Sequence, residues 1–465
     1  MEQRQLVIVG GGPAGYEAAA KAADLGIQTT LVERDEVGGT CLNRGCIPTK
    51  TILHTAELFA ELGCAEGIGL HIEKASVDYA GLRSRKNAVI DQLRAGVEEL
   101  LESKGVELVR GTATINDIGS IVAPTADGAV REFSADYLII AAGTSPALPP
   151  IAGIDLAGVH TSDTILEAVP KLDRLAVIGG GVIGMEFASA YTALGTQVSV
   201  LESANRILPT MDREFGQSLT MVMKKRGCSI ATGAHVGGIE QHGNGLLVRY
   251  TLKDKPLVVE ADAVLVATGR TPRLRELFGT RFAPALEHGR IAVDEHMRTS
   301  ISRVYAIGDA ANAGLQLAHA ASAQGIVAVS DIAGASCNLD VNTIPSCVYT
   351  SPEIASVGLT EAAAKEADIE ILVGKAPMGG NAKTVIGGED RSFMKVLATP
   401  EGTIVGAHLM CGRATDMIGE LAVAVANGLT VDQMARAVRP HPTFEEALGV
   451  ALEALSEKLK RASRP

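Results

Sequence analysis

The chain has 465 residues, which at about 100–200 residues per domain points to roughly three domains. Hydrophobic residues make up 46% and charged residues 21%, so sizeable cores can form, and disorder and collagen are excluded. Lysine and arginine total 42 against 54 aspartates and glutamates; the resulting charge of −12 repels phosphate backbones, and no nucleic-acid partner is expected. The N-terminus runs directly into an apolar strand, without the basic region and cleavage site of a secretion signal. No stretch reaches the ~20 apolar residues of a spanning helix. The expectation is a soluble cytoplasmic protein with no membrane partner. Seven scattered cysteines do not make a secreted disulfide framework.

Residues 8–33 and 177–202 match at a constant offset of 169. Gly10, Gly12, Gly15, Glu17, Gly26 and Glu33 fall on Gly179, Gly181, Gly184, Glu186, Gly195 and Glu202. Each copy predicts a strand (6–9; 175–178), a G-x-G-x-x-G turn opening an Ala-rich helix, and a second strand (29–32; 197–201) ending in glutamate. The first glycine permits a tight turn, the second lets the backbone approach a pyrophosphate, and the third lets helix and strand pack closely. The helix N-terminus then offers unpaired N–H groups and partial positive charge to the phosphates. Glu33 and Glu202, each 18 residues past the third glycine, are placed to accept hydrogen bonds from a ribose diol. At the second copy a carboxylate favours NAD over the 2′-phosphate of NADP, although Arg206 stands four residues further on.

Strand-plus-glycine segments recur at 138–146, 264–272 and 304–309, the first carrying Gly143, the second Gly269 and the third Gly308-Asp309. They read as the last strands of the two units, with Gly-Asp returning to the first cofactor after the second unit has been inserted. The expected class is α/β, with two Rossmann-like dinucleotide-binding domains, the second inserted in the first. The expected divisions are 1–149, 150–275, 276–342 and 343–465, the third completing the first. From 343 onward, strands at 347–350, 393–397 and 404–410 alternate with Ala/Leu helices, predicting a separate α+β domain.

Gly38-Gly39-Thr40-Cys41-Leu42-Asn43-Arg44-Gly45-Cys46-Ile47-Pro48-Thr49-Lys50 follows the first unit's Glu33. In a regular helix, residues five apart lie roughly 8–9 Å apart, beyond the ~7 Å a disulfide tolerates. Cys41 and Cys46 can therefore bridge only in a loop or a distorted first helical turn. Spacing alone leaves a redox pair and two ordinary thiols both open. A metal site is not expected, because no second Cys/His pair lies nearby. A helix start, with Lys50 and Arg44 adding charge, would lower a thiolate pKa.

With His441-Pro442-Thr443-Phe444-Glu445-Glu446 added, these motifs together resemble the dihydrolipoamide dehydrogenase (E3) group of the pyridine nucleotide–disulfide oxidoreductases, over essentially the whole chain. The resemblance implies that the first unit binds FAD through Gly10, Gly12, Gly15 and Glu33, with Ala113, Gly143, Asp309 and Leu317. It implies that Lys50 lies near the flavin and pairs with Glu186. The second unit would hold NAD through Gly179, Gly181, Gly184, Glu202, Val236 and Gly269. Cys41 would be the thiol that meets substrate and Cys46 the one beside the flavin. His441 would be the acid/base, oriented by Glu446 and contributed by the other subunit of a homodimer, with the last domain as the dimerisation domain. Thiol–disulfide exchange needs such a group, and histidine titrates near neutrality. Glu445 competes as orienter, but the H-P-T-x-x-E spacing selects Glu446. Family members use a cis peptide before Pro442 to aim the ring. The implied activity is oxidation of dihydrolipoamide to lipoamide, through a Cys41–Cys46 redox disulfide and FAD to NAD+. The implied partner is a lipoylated carrier, the E2 component of a 2-oxoacid dehydrogenase complex or the H-protein of glycine cleavage.

The chain departs from the group in three respects. Arg44 stands where many relatives carry Val, the run 411–418 replaces a Gly-Pro-x-Ala-x-Glu-Met-Ile pattern before the interface helix, and aromatics are only 3% with no Trp. The alternatives are a specialised E3 paralogue, another NAD(P)H-dependent disulfide reductase, or a non-catalytic FAD/NAD-binding redox sensor. The last has no need of Cys41, Cys46, His441 and Glu446 together.

Overall fold

A computed structural model describes residues 5–125, 128–280, 282–389 and 391–462. The first four residues, read above for a secretion signal, lie outside the described residues. In the first unit the apolar run Leu6–Val7–Ile8 is wholly buried, as a parallel strand covered on both faces requires. That strand, Gln5–Val9, lies at the centre of a five-stranded parallel sheet, between Gln28–Glu33 and Tyr137–Ile140. Glu107–Arg110 forms one edge and Val304–Ala306 the other. The edge strand at 304–306 returns to the sheet only after the second unit is complete, so the second unit is inserted in the first.

The second unit repeats the plan. Arg174–Ile178 is central, flanked by Gln197–Glu202 and Ala263–Val266, with Ser229–Thr232 and Val159–Thr161 at the edges, all parallel. The two chain crossings between units, Thr144–Pro146 and Arg270–Pro272, pair with each other as antiparallel strands.

The third domain is an antiparallel sheet, in the order Ser346–Val348, Glu353–Gly358, Ile404–Cys411, Phe393–Ala398 and Leu372–Pro377. Helices Ala414–Ala426 and Glu446–Ala462 pack against it through Ile418, Leu421, Leu448 and Leu452. The strand predicted at 347–350 stops at Val348, because the Tyr349 N–H turns away to bond Glu186.

One core crosses all three regions. Ile52, Leu53 and Ala56 of the helix Cys46–Leu62 pack with Phe187, Tyr191 and Phe215 of the second unit and with Val348 and Phe393 of the third domain. The Phe215 and Phe393 rings lie 4.5 Å apart between centroids. Phe215→Ala should empty this seam at a cost of about 3–5 kcal/mol, seen as a clear fall in the thermal midpoint by calorimetry; an unchanged midpoint would show that the seam contributes no stability.

Candidate functional site

Cys41 lies in the short helix Gly39–Arg44 and Cys46 opens the 17-residue helix Cys46–Leu62. Gly45 between them has φ −144 and ψ −107, so the two helices do not run on into one. A β-carbon at Gly45 would stand 2.9 Å from Thr40 O and 3.4 Å from Cys41 Cα. Glycine thus lets the two segments close up, and the thiols, both free, share a hydrogen bond. A loop or one distorted turn was expected; the structure has two helices broken at a single residue. That hydrogen bond from Cys41 is the main force lowering Cys46 to about 7; the Lys50 charge adds to it while burial opposes it. The same bond, with burial second, drives Cys41 the other way.

Lys50 sits one turn beyond Cys46 on the same helix. Its Nζ lies 2.7 Å from Glu186 Oε2 and 4.4 Å from the centre of the Tyr349 ring. Glu186, on the helix Val182–Ala193, is only 4% exposed, and its Oε1 accepts the Tyr349 N–H at 3.0 Å. The first unit, the second unit and the third domain therefore meet at one ion pair. Burial pushes the Tyr349 hydroxyl up to about 12. No local pattern singles out Tyr349, which enters the site only through tertiary packing.

Both units open on one continuous cavity of about 1980 Å³, with the thiols, Lys50 and Glu186 on its wall. Gly10 and Gly179 have φ of 109 and 111, and a β-carbon on either would collide with the backbone of Ala141 or Ala267. Gly12 and Gly181 line the cavity; a β-carbon at Gly181 would meet open space, and one at Gly12 would touch only Gly39 Cα, at 3.8 Å. These two glycines are also the N-caps of the helices Pro13–Asp24 and Val182–Ala193; neither helix has a side-chain cap or a first-turn acid, so their leading N–H groups can take phosphate oxygens. Glu33 and Glu202 line the cavity while accepting the N–H groups of Gly11 and Gly180, each at 2.5 Å. Ala113, Gly143, Asp309 and Leu317 line the cavity with the first unit's glycines, and Val236 and Gly269 with those of the second. Gly15 and Gly184 do not line it. They sit behind the turns, where a β-carbon would strike Gly10 O or Gly179 O, the packing role of the third glycine. This uncapped, glycine-lined pair of cradles, each with a carboxylate, fits two dinucleotides.

Sequence reasoning missed the chain of contacts that joins the cradles. Thr144 Oγ1 donates to Asp309 Oδ2 at 2.8 Å, and Arg270 donates to Thr144 Oγ1 at 2.9 Å and to Thr144 O at 3.0 Å. The guanidinium also reaches Thr40, beside Cys41, at 3.4 Å. The only signal was the residue following each of Gly143 and Gly269.

His441 and Glu446 stand apart from the cavity in this chain, and the His441 side chain is 71% exposed. His441 Nδ1 lies 2.9 Å from Glu446 Oε1, while Glu446 Oε2 accepts the Thr443 N–H at 3.0 Å. The Thr443 N–H first, and His441 second, hold the Glu446 carboxyl below its usual range. The His441–Pro442 peptide is cis. Among the described residues no group of three His, Cys, Asp or Glu can hold a metal ion, and no helix is long and apolar enough to cross a membrane.

Residues 4–325 match the model of the pyridine nucleotide-disulphide oxidoreductase family, and residues 344–452 match the dimerisation domain of that family. The chain belongs to the pyridine nucleotide-disulphide oxidoreductases. It is 36% identical to a dihydrolipoyl dehydrogenase of Haloferax volcanii, over 99% of this chain and 98% of that one. It is 37% identical to one of Chlamydia pneumoniae, over 96% of this chain and 95% of the relative. The crystal structure of LpdA from Mycobacterium tuberculosis superposes with a TM-score of 0.90 at 29% identity, covering 97% of this chain and 99% of that one. This family member is an NAD-dependent flavoprotein oxidoreductase of the dihydrolipoyl dehydrogenase type, with FAD and NAD as its cofactors.

Because Cys46 is lowered from the usual thiol value to about 7, its thiolate fraction rises as pH increases through neutrality. The rate of iodoacetamide alkylation of the reduced enzyme should climb with a midpoint near that value. Cys41→Ala, and to a lesser degree Lys50→Met, should move the midpoint upward; a midpoint at the ordinary thiol value in the unaltered enzyme would refute this account.

Proposed function

We propose that the enzyme oxidises dihydrolipoamide carried on a separate lipoylated protein, with NAD+ as electron acceptor. The observation that carries this reading is the hydrogen-bonded Cys41–Cys46 pair, seated beside Lys50 at the junction of the two cradles. In the oxidised enzyme the pair forms a disulfide. His441 takes the proton of one substrate thiol, and the resulting thiolate attacks Cys41 Sγ, breaking the Cys41–Cys46 bond. Cys46 leaves as the thiolate that the hydrogen bond from Cys41 and the Lys50 charge favour. The second substrate thiol, its proton released to solvent, then attacks the substrate sulfur of the mixed disulfide; Cys41 leaves, taking the proton held on His441, and cyclic lipoamide is released. FAD, when bound, would supply the two-electron relay between the cysteine pair and NAD+.

Gly10, Gly12, Gly15 and Glu33, with Ala113, Gly143, Asp309 and Leu317, hold FAD in this reading, and Lys50 is set beside it. Gly179, Gly181, Gly184, Glu202, Val236 and Gly269 hold NAD. The preference for NAD is supported by Glu202 and by the engagement of Arg206, which gives its guanidinium N–H groups to Pro209 O and Met211 O of its own loop. Two observations support a homodimer in which His441 and Glu446 serve the thiols of the other subunit. The third domain matches a dimerisation domain, and it exposes Val385, Ile386, Val423 and Val450. The seven cysteines are all free thiols, which suits the reducing cytoplasm.

Anaerobic titration of the purified enzyme with dihydrolipoamide should raise a long-wavelength band at the two-electron stage that collapses as NAD+ is added and NADH appears. Flavin that dihydrolipoamide leaves oxidised but NADH reduces would turn the search to other disulfides. Cys46→Ser should abolish dihydrolipoamide-dependent NAD+ reduction with bound FAD retained. His441→Gln should lower that turnover by about 10²–10⁴-fold while leaving NADH oxidation by an artificial acceptor intact; full turnover in either variant would overturn its assignment.

A further inference from the structure

The segment 202–212 forms one wall of the second unit's half of the cavity, with Glu202, Ser203, Pro209 and Thr210 facing it. It contains no helix or strand between Glu202 and Arg213, so its shape depends on how it is pinned. At its start Glu202 Oε1 accepts the Ala204 N–H at 2.6 Å. In its middle Leu208, fully buried at a φ of 48, gives its N–H to Gly180 O at 2.9 Å. The far end is pinned from another domain. Asp212 Oδ2 lies 3.0 Å from Lys395 Nζ, on the strand Phe393–Ala398, with the two side chains 6% and 4% exposed. Asp212 Oδ1 meanwhile accepts the Glu214 N–H at 2.9 Å and caps the helix Arg213–Lys225. Lys395 is also paired with Glu361, and with Glu214 at 3.5 Å.

A buried ion pair is directional and tolerates little displacement, yet contributes little net stability against an apolar substitute. Its main effect here is on geometry. An irregular segment of this length, unpinned, would have to be ordered each time a nucleotide bound, and that ordering would weaken affinity. We propose that Lys395 is a positioning residue for the nicotinamide nucleotide: through Asp212 it fixes, from the dimerisation domain, the wall that carries the ribose-binding Glu202. The inference rests on the reading of the second unit as the NAD site. The second unit is then not a self-sufficient nucleotide-binding module, because the third domain sets its shape.

Asp212→Asn keeps the helix-capping oxygen and leaves Lys395 paired with Glu361 and Glu214, so this variant removes only the charge that draws the segment inward. Lys395→Met cuts the tie from the other side. For both holoenzymes, calorimetric titration with NAD+ should show binding weakened about tenfold, with KM for NAD+ raised alike and kcat at saturation kept, the pattern of lost uniform binding. KM for dihydrolipoamide and the long-wavelength band of the two-electron enzyme should not move. Two results overturn the proposal: unchanged NAD+ affinity in folded variants, or a parallel decline in every parameter that follows a lower thermal midpoint. An unaltered enzyme that binds neither NAD+ nor NADP+ would instead refute the assignment of the second unit.

Discussion

Glu186 places a carboxylate where water scarcely reaches, and the cation beside it, Lys50, comes from a different unit of the fold. Breaking such a pair leaves a buried charge uncompensated, which is far costlier than any gain from forming it. The pair therefore acts as a constraint on arrangement. Lys50 cannot meet Glu186 unless the helix that begins at Cys46 lies against the helix Val182–Ala193 of the second unit. Tyr349 closes the arrangement from the third domain by giving its backbone N–H to the same carboxylate. The thiols thus stand at the junction of all three regions because that is where the charges balance.

The asymmetry of the two thiols follows from this placement. They are five residues apart in sequence and similarly buried, but one gives the hydrogen bond and the other receives it. Cys46 also begins a long helix and stands one turn from an ammonium group, two features that favour a thiolate. Cys41 feels the same ammonium group, but giving the hydrogen bond to Cys46, together with burial, outweighs that charge. A disulfide opened at this site has a built-in better leaving group. The division of roles between the two sulfurs is therefore a property of their surroundings.

The parts of the molecule legible in the sequence are those whose physics is local. A glycine turn that must pass close to a neighbouring strand, a helix left open for phosphate and an acid at the end of the next strand lie within about thirty residues of one another, and the offset of 169 made the second copy visible. The choice of Glu446 over Glu445 was likewise a matter of short spacing, and the hydrogen bond to His441 follows it. The position of the break between the cysteines was not legible, because several glycines nearby can bend a chain and only contact with Thr40 and Cys41 singles out Gly45. Tyr349, Thr144 and Arg270 were missed for a related reason. Each acts on groups more than a hundred residues away, and no local pattern encodes such a meeting.

The two crossings that connect the nucleotide-binding units have a consequence of another kind. Thr144–Pro146 leaves the first unit and Arg270–Pro272 returns to it, and the two run side by side as paired strands, about 4.8 Å apart. To the host sheet, the whole intervening unit occupies the space of a hairpin loop. A domain whose ends lie that close together can be spliced into a fold without parting the strands on either side. The antiparallel pair is then the seam of the inserted unit, and it marks the place where a different domain with adjoining ends can be exchanged for this one while the first sheet keeps its register.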